Sequence, residues 1–450
     1  MPDLLDRRKK DLEDQLEVLP NELKHWKALS DANQPFEKHH SQIEALSRQM
    51  TALNDQVKAD WGRSASFVAI QKAQRDCGGV HAVWNYFREK FLMRADPHLG
   101  GYLRAADAYV WACYEPVLRQ WREAHNEAPL REPPLVAFDT DRSPWALSRR
   151  GKYTPLGDTT GATGTSLFAD TLAHMPIAIL GIPWNTMELL PNLAVLAHET
   201  GHIVDSDFGQ DDDPVGKALA AATSGSRVRQ GWSEYWRKEV FADLFGCYAA
   251  GPPFVWVLAD SIPDSPESVT TKRRPTLDDQ WGVYPPATLR MLLNIEALRH
   301  LGYKEEATRL EQYWKGDYAA HAMSDVEADV RAVVPAFYAA AGLPAGLNFA
   351  KQVTSATQAQ RTLVNGSDLK MTDRFDPRAL VGVASDLHRT PPAGIDPGVM
   401  WGRLQDHIVS SRPPGVLDAR PRREAATAAA PLRTKEIASL LFVPAEDDEG

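Results

Sequence analysis

The stretch Val195–Gly209, VLAHETGHIVDSDFG, decides how this chain is read. His198 and His202 stand four residues apart in a run whose apolar members include Val195, Leu196, Ala197, Ile203 and Val204. That texture predicts a partly buried helix. On an α-helix, residues i and i+4 share a face, so both imidazoles can aim at one point. Glu199 projects about 100° further round the helix. It misses that point yet can reach a water molecule beside it. Two imidazoles and a neighbouring carboxylate are the ligand pair and general base of a His-Glu-x-x-His metal centre. Taken alone, the motif also admits a plainer reading, two core histidines bonded to backbone groups.

A third ligand separates these readings, because catalytic zinc usually takes three protein ligands and keeps a fourth position open. Downstream, WSEYWRKEVFADLFGCYAAGPP (residues 232–253) predicts a second helix, with Ser233 as N-cap and Gly251, Pro252 and Pro253 as its stop. Glu239 and Asp243 fall at i and i+4 among Val240, Phe241, Ala242, Leu244 and Phe245. Carboxylates are rarely buried without a partner or a metal. Glu239 as third ligand satisfies one of them. Asp243, accepting a hydrogen bond from the other ring N–H of a ligand histidine, satisfies the second.

HETGH followed by EVFAD resembles the gluzincin metallopeptidases, whose pattern is HExxH and then ExxxD on a later helix. The form EVFADLFG is most similar to the branch containing the CAAX prenyl endopeptidase and the bacterial heat-shock membrane protease. YPPATLRMLLNIEALRHLG (284–302) resembles the His-Pro-Pro…Arg-Ile segment of that branch. The resemblance covers residues 175–302, about a quarter of the chain. It implies a zincin-like domain holding one Zn²⁺ per chain, with His198, His202 and Glu239 as ligands, Glu199 as catalytic base and Asp243 behind them. The implied activity is an endopeptidase acting on an intracellular protein or peptide. Tyr284 stands where the branch shows histidine, and the chain lacks that branch's membrane spans, so membrane-linked substrates are not implied. Tyr284 and Arg290 are the candidates for stabilising the tetrahedral oxyanion. In gluzincins a strand beside the metal helix holds the peptide by β-augmentation, and MPIAILGIP (175–183) is expected to do so here. The alternative function is a zinc-bound regulatory or scaffold module with little peptidase activity. An intact Glu199 argues against it, since a scaffold has no use for the base.

Around this centre the chain divides into a helical N-terminal region (1–130), the metallopeptidase domain (131–345) and a C-terminal extension with a linker-like tail (346–450). Leu4, Leu5, Leu12, Leu16 and Leu19, then Ile43, Leu46, Met50 and Leu53, recur at helical spacing and predict a helical hairpin. Packing on the body is the first reading, and partner binding or self-association is the second. A strict heptad is not evident. PLVAFDTD and MPIAILGIPW predict short strands, and helices follow over 187–205, 233–250, 286–302, 304–316 and 325–341. The expected fold class is therefore α+β, mainly helical, with a small mixed sheet. GKYTPLGDTTGATGTSLF (151–168) reads as loop or hairpin. The Pro/Ala/Arg-rich stretch 410–435 reads as a linker or tail, and the whole tail 410–450 as a segment able to occupy the cleft. His39 and His40 read as a solvated pair, Glu327–Val333 as a solvated helix face, and His174 as a satisfied polar group.

The net charge of −10 gives nucleic acid no electrostatic support. The longest apolar stretch is broken by Pro183, Asn185, Glu188, Pro191 and Asn192, so no membrane span is expected. The N-terminal stretch carries no apolar run of a secretory leader. Cys77, Cys113 and Cys247 are too few and too scattered for a disulfide framework. A cytoplasmic protein is the resulting expectation.

Overall fold

The computed structural model describes residues 3–62, 66–125, 132–149, 166–209, 212–262, 265, 284–318, 327–370, 372–410 and 432–442. The loop expected at 151–168 and the linker at 410–435 lie largely outside them.

The N-terminal layer is built by helices α1 (Leu4–Leu29), α2 (His40–Trp61) and α3 (Phe67–Leu92). Their buried residues fall at alternating steps of four and three. Leu12, Leu16, Leu19, Leu23 and Trp26 line α1, while Ile43, Leu46, Met50, Leu53 and Val57 line α2. Ile70, Ala73, Cys77, Val80, Trp84, Phe87 and Phe91 continue the pattern on α3. This is the heptad spacing the sequence did not make evident, and the three helices bury it against one another. Lys27 pairs with Glu44 at 2.9 Å and Asn54 donates to the Leu16 carbonyl at 3.0 Å, so α1 and α2 run antiparallel.

α4 (Gly100–Ala124) leads to the sheet. Strands β1 (Leu135–Asp139), β2 (Trp145–Leu147) and β3 (Ile179–Pro183) stand in the order β1-β3-β2. β1 pairs with β3 in parallel and β2 pairs with it antiparallel. Helix α5 (Ser166–Ala173) precedes β3. Because side chains alternate along a strand, the sheet serves two cores. Leu135, Trp145, Leu147 and Ile179 face the N-terminal helices, whereas Val136, Phe138, Leu180 and Ile182 face the larger helical body. β3 is therefore a central strand, paired on both sides over Ile179–Gly181. It has no free edge for a peptide there, contrary to the expectation from its position before the metal helix.

The body contains α6 (Leu196–Phe208), α7 (Pro214–Ala222), α8 (Arg237–Ala250), α9 (Pro252–Ser261) and α10 (Ala287–His300). It continues through α11 (Lys304–Tyr318), α12 (Glu327–Ala341), α13 (Val353–Val364), α14 (Pro377–Arg389) and α15 (Pro397–Ser410). A last helix, α16 (Thr434–Leu441), returns to the N-terminal layer. The fold is α+β and mainly helical, with one small mixed sheet. Among the described residues no helix is long and apolar enough to cross a membrane. All three cysteines are free and buried.

Three local expectations are corrected. Ser233 is not an N-cap, because a π-helical turn, Gly231–Tyr235, precedes α8 and Ser233 donates inside it to the Arg229 carbonyl. His39 and His40 are buried, not solvated. His39 lies 2.6 Å from the Gln42 Oε1 and 3.5 Å from Asp107, and His40 lies 2.9 Å from the Ser30 carbonyl. Nor is Glu327–Val333 a solvated face: Val330 and Val333 are buried, and Asp329 accepts hydrogen bonds from Ser226 and the Trp232 indole. His174, with its Nδ1 2.7 Å from the Asp170 carbonyl, is satisfied locally as expected.

Arg378 fastens the C-terminal helices to the body. This buried guanidinium donates to the carbonyl of Ala249, in the last turn of α8, and to that of Leu347, and it pairs with Asp376 at 2.7 Å. Arg378→Ala leaves two buried carbonyls without donors. It is expected to lower stability by on the order of 2–3 kcal/mol, read as a drop in thermal midpoint. An unchanged midpoint would show that solvent replaces the guanidinium there.

Candidate metal centre

α6 and α8 carry all the motif residues, and they meet almost backbone to backbone. A Cβ placed on Gly201 would lie 2.9 Å from the Cα of Ala242 and 3.2 Å from the Cβ of Phe245. Gly201 stands between His198 and His202, and Ala242 between Glu239 and Asp243. The glycine therefore sets how closely the helices carrying His198, His202 and Glu239 approach. The far end of α6 is held separately. Asp207 accepts from Arg149, just past β2, at 2.8 Å and from the Tyr114 hydroxyl on α4 at 2.7 Å.

His198 Nε2 lies 3.1 Å from His202 Nε2 and 3.3 Å from Glu239 Oε2, and His202 Nε2 lies 3.4 Å from Glu239 Oε1. His198, His202 and Glu239 thus form a buried group able to hold a metal ion. Zinc bonds of about 2.0–2.1 Å in tetrahedral array place neighbouring ligand atoms roughly 3.3–3.4 Å apart; the separations here are close to that, with Glu239 turning Oε2 toward His198 and Oε1 toward His202. Glu239 Oε2 is buried and makes no hydrogen bond of good geometry; its nearest donors are His198 Nε2 at 3.3 Å and Arg290 Nη2 at 3.9 Å, so a cation held among these groups would add to its compensation.

Behind the triangle, His198 Nδ1 lies 2.8 Å from Asp243 Oδ1. Asp243 is in turn gripped by Arg290 of α10, through Nε at 2.8 Å and Nη2 at 2.6 Å. Such a two-pronged guanidinium contact fixes the carboxylate's plane as well as its position. Arg290 Nη2 lies 3.9 Å from Glu239 Oε2. Its Nε and Nη2 are committed to Asp243, so Arg290 sits behind the ligands. Tyr284 is 38% exposed at the rim. Partial burial, with the charges of Glu239 and Glu199, holds its phenol above the usual range, so it keeps its O–H at neutral pH.

With only the protein's own groups present, the charges divide unevenly. Burial opposes a charged His198, but the Asp243 and Glu239 carboxylates outweigh it and raise its pKa to about 10. Burial, aided by the charge on His198, lowers His202 to about 4. Glu199 is pushed up to about 7 by burial, with Glu239 adding to the effect. Glu239 stays below the usual carboxylate range because His202, His198 and Arg290 overcome its burial. Arg290 likewise holds Asp243 well below that range.

The sequence did not flag Gly201 or Asn294. Asn294 Nδ2 donates to the Arg290 carbonyl at 2.8 Å, and its Oδ1 lies 2.9 Å from the Cys247 thiol, which joins α10 to α8. A signal for Gly201 was present. Glycine inside a helix costs about 1 kcal/mol relative to alanine, so a mid-helix glycine invites a packing reason. Asn294 gave no such signal. Compared with models of protein families, with curated proteins and with solved structures, the chain matches none.

Proposed function

We propose that the protein is a zinc-dependent endopeptidase hydrolysing peptide bonds of a protein or peptide substrate. The observation that carries the reading is the buried His198–His202–Glu239 triangle with the Glu199 carboxyl beside it. His198, His202 and Glu239 would hold the ion. When bound, zinc supplies Lewis acidity, which acidifies water and polarises a carbonyl.

The chain's own residues supply the remainder. Glu199, with a pKa lifted to about 7 by burial, accepts a proton from the attacking water and returns it to the leaving amine nitrogen. Asp243 keeps the His198 ring turned so that Nε2 faces the ligand triangle, and Arg290 keeps Asp243 in place. Arg290 thereby serves position. Tyr284, at the rim with its proton retained, is the better donor for the oxyanion. For substrate alignment the edge strand β2 replaces the central β3, since β2 lies at the sheet's border and packs against α6.

Glu199→Gln tests the assignment. The amide is nearly isosteric and cannot take a proton, so the variant should retain wild-type zinc and lose peptide hydrolysis by about 10²–10⁴-fold. Cleavage of a diverse peptide mixture, followed by mass spectrometry, gives the readout. A zinc-loaded wild type that cleaves nothing in such a mixture would favour the regulatory or scaffold reading. Full activity in Glu199→Gln would remove Glu199 as the base.

A further inference from the structure

The chain's last described segment crosses to the N-terminal layer, far from the helices that precede it in sequence. α16 buries Ile437 and Ala438 in the N-terminal cluster, where α2, α3 and α5 meet it. Its far end lands on an unusual spot. Gly78 and Gly79 stand in the middle of α3, where glycine weakens a helix. A Cβ on Gly79 would lie 3.2 Å from both Cγ and Cδ1 of Leu441. The α3 surface is hollowed where Leu441 rests. The near end of α16 is recognised by Gln49, a buried side chain of α2. Its Oε1 accepts from the Arg433 N–H at 3.1 Å, and its Nε2 donates to the Thr434 hydroxyl at 3.4 Å. Residues 433–441 thus occupy a groove fitted to them at both ends.

We propose that α16 is a detachable latch, which leaves and re-enters this groove as a unit and pins α5 while docked. Three observations support this. α1, α2 and α3 pack on one another along their apolar seams, and of the buried cluster they share with the sheet and α5, α16 contributes only Ile437 and Ala438. α16 itself adds only two fully buried side chains, against the cost of ordering eight residues. α5, by contrast, packs chiefly on α16 and runs directly through Met175 and Ile177 into central strand β3. The proposal is independent of the peptidase reading.

Hydrogen exchange on the full chain, read by mass spectrometry, tests it in wild type, Ile437→Asp and Gly79→Leu. In wild type, amides of 434–441 should exchange at least tenfold faster than those in the buried seams of α1–α3. Ile437→Asp removes the apolar anchor, and Gly79→Leu fills the hollow from the opposite side. Each should abolish protection of 434–441 and speed exchange of 170–178 at least tenfold, leaving α1–α3, α6 and α8 unchanged. Loss of protection throughout α1–α3 would overturn the proposal, because α16 would then belong to one cooperative core. Wild-type protection at 170–178 in both variants would also overturn it, since the helix would be holding nothing.

Discussion

Glu239→Ala is expected to strip the protein of zinc while leaving it folded. Wild type should hold about one ion per chain by elemental analysis, and the variant almost none. The argument rests on where the two remaining ligands stand. His198 and His202 lie on the same helix, and a pair on one element leaves a tetrahedral ion half coordinated. Glu239 alone reaches across from α8 to complete the set. Removing a group that only orients a ligand costs roughly 10–100-fold in metal affinity, and removing a ligand itself should cost more than that. The fold should persist because Arg290 and Asp243 remain paired when Glu239 is gone. A circular-dichroism melt close to wild type, together with loss of the ion, is the expected pattern. Retention of one zinc per chain by Glu239→Ala would mean that the ion sits elsewhere, and the triangle would lose its role.

Gly201→Ala should produce a second large effect without touching a ligand. Two contributions oppose each other. Alanine is about 1 kcal/mol better than glycine inside a helix, which alone would stabilise α6. The new methyl would stand 2.9 Å from the Ala242 Cα, and overpacking of this kind costs typically about 1–3 kcal/mol. The obstacle is a backbone atom, which cannot rotate aside, so the steric contribution wins and α6 must move away from α8. That movement carries Glu239 away from His198 and His202, from which its two carboxylate oxygens now stand 3.3 and 3.4 Å. A net destabilisation of up to about 2 kcal/mol is expected, with metal affinity reduced about tenfold, the lower end of what losing a ligand-orienting contact costs. Competition with a chromogenic chelator measures the affinity. Wild-type affinity in Gly201→Ala would show that the two helices tolerate separation.

The group able to hold a metal was legible because it rests on helical periodicity, which short-range geometry fixes. Once 196–208 and 237–250 are helices, His198 and His202 must share a face, as must Glu239 and Asp243. Which residues lie beyond them is a matter of tertiary packing, and there the sequence was less informative. Arg290 was read as facing a reaction intermediate, whereas its fork is turned to Asp243 from a third helix. β2 is only three residues long, too short for alternation to register, and without it β3 could not be recognised as central. His39 and His40 look like surface residues beside Glu37 and Lys38. Both are buried: Asp107, about seventy positions away in sequence, returns to meet His39, and Ser30 at the end of α1 closes on His40. Leu441 and Gly79 are separated by more than 350 positions, so the hollow in α3 has no explanation until the chain's last helix is seen in it.

The sheet behaves as a party wall between two tenants. Along β3, Ile179 belongs to the N-terminal helices, Leu180 to the larger helical body, and Ile182 to that body again after Gly181 makes room for the Trp145 ring. Side chains on a strand repeat every two residues, so inserting or deleting one residue there would exchange the two inventories. Each helical layer would then receive the side chains shaped for the other. Neither can be rebuilt on its own at this wall, because β1 alternates between the same two cores beside it, Leu135 on one side and Val136 on the other.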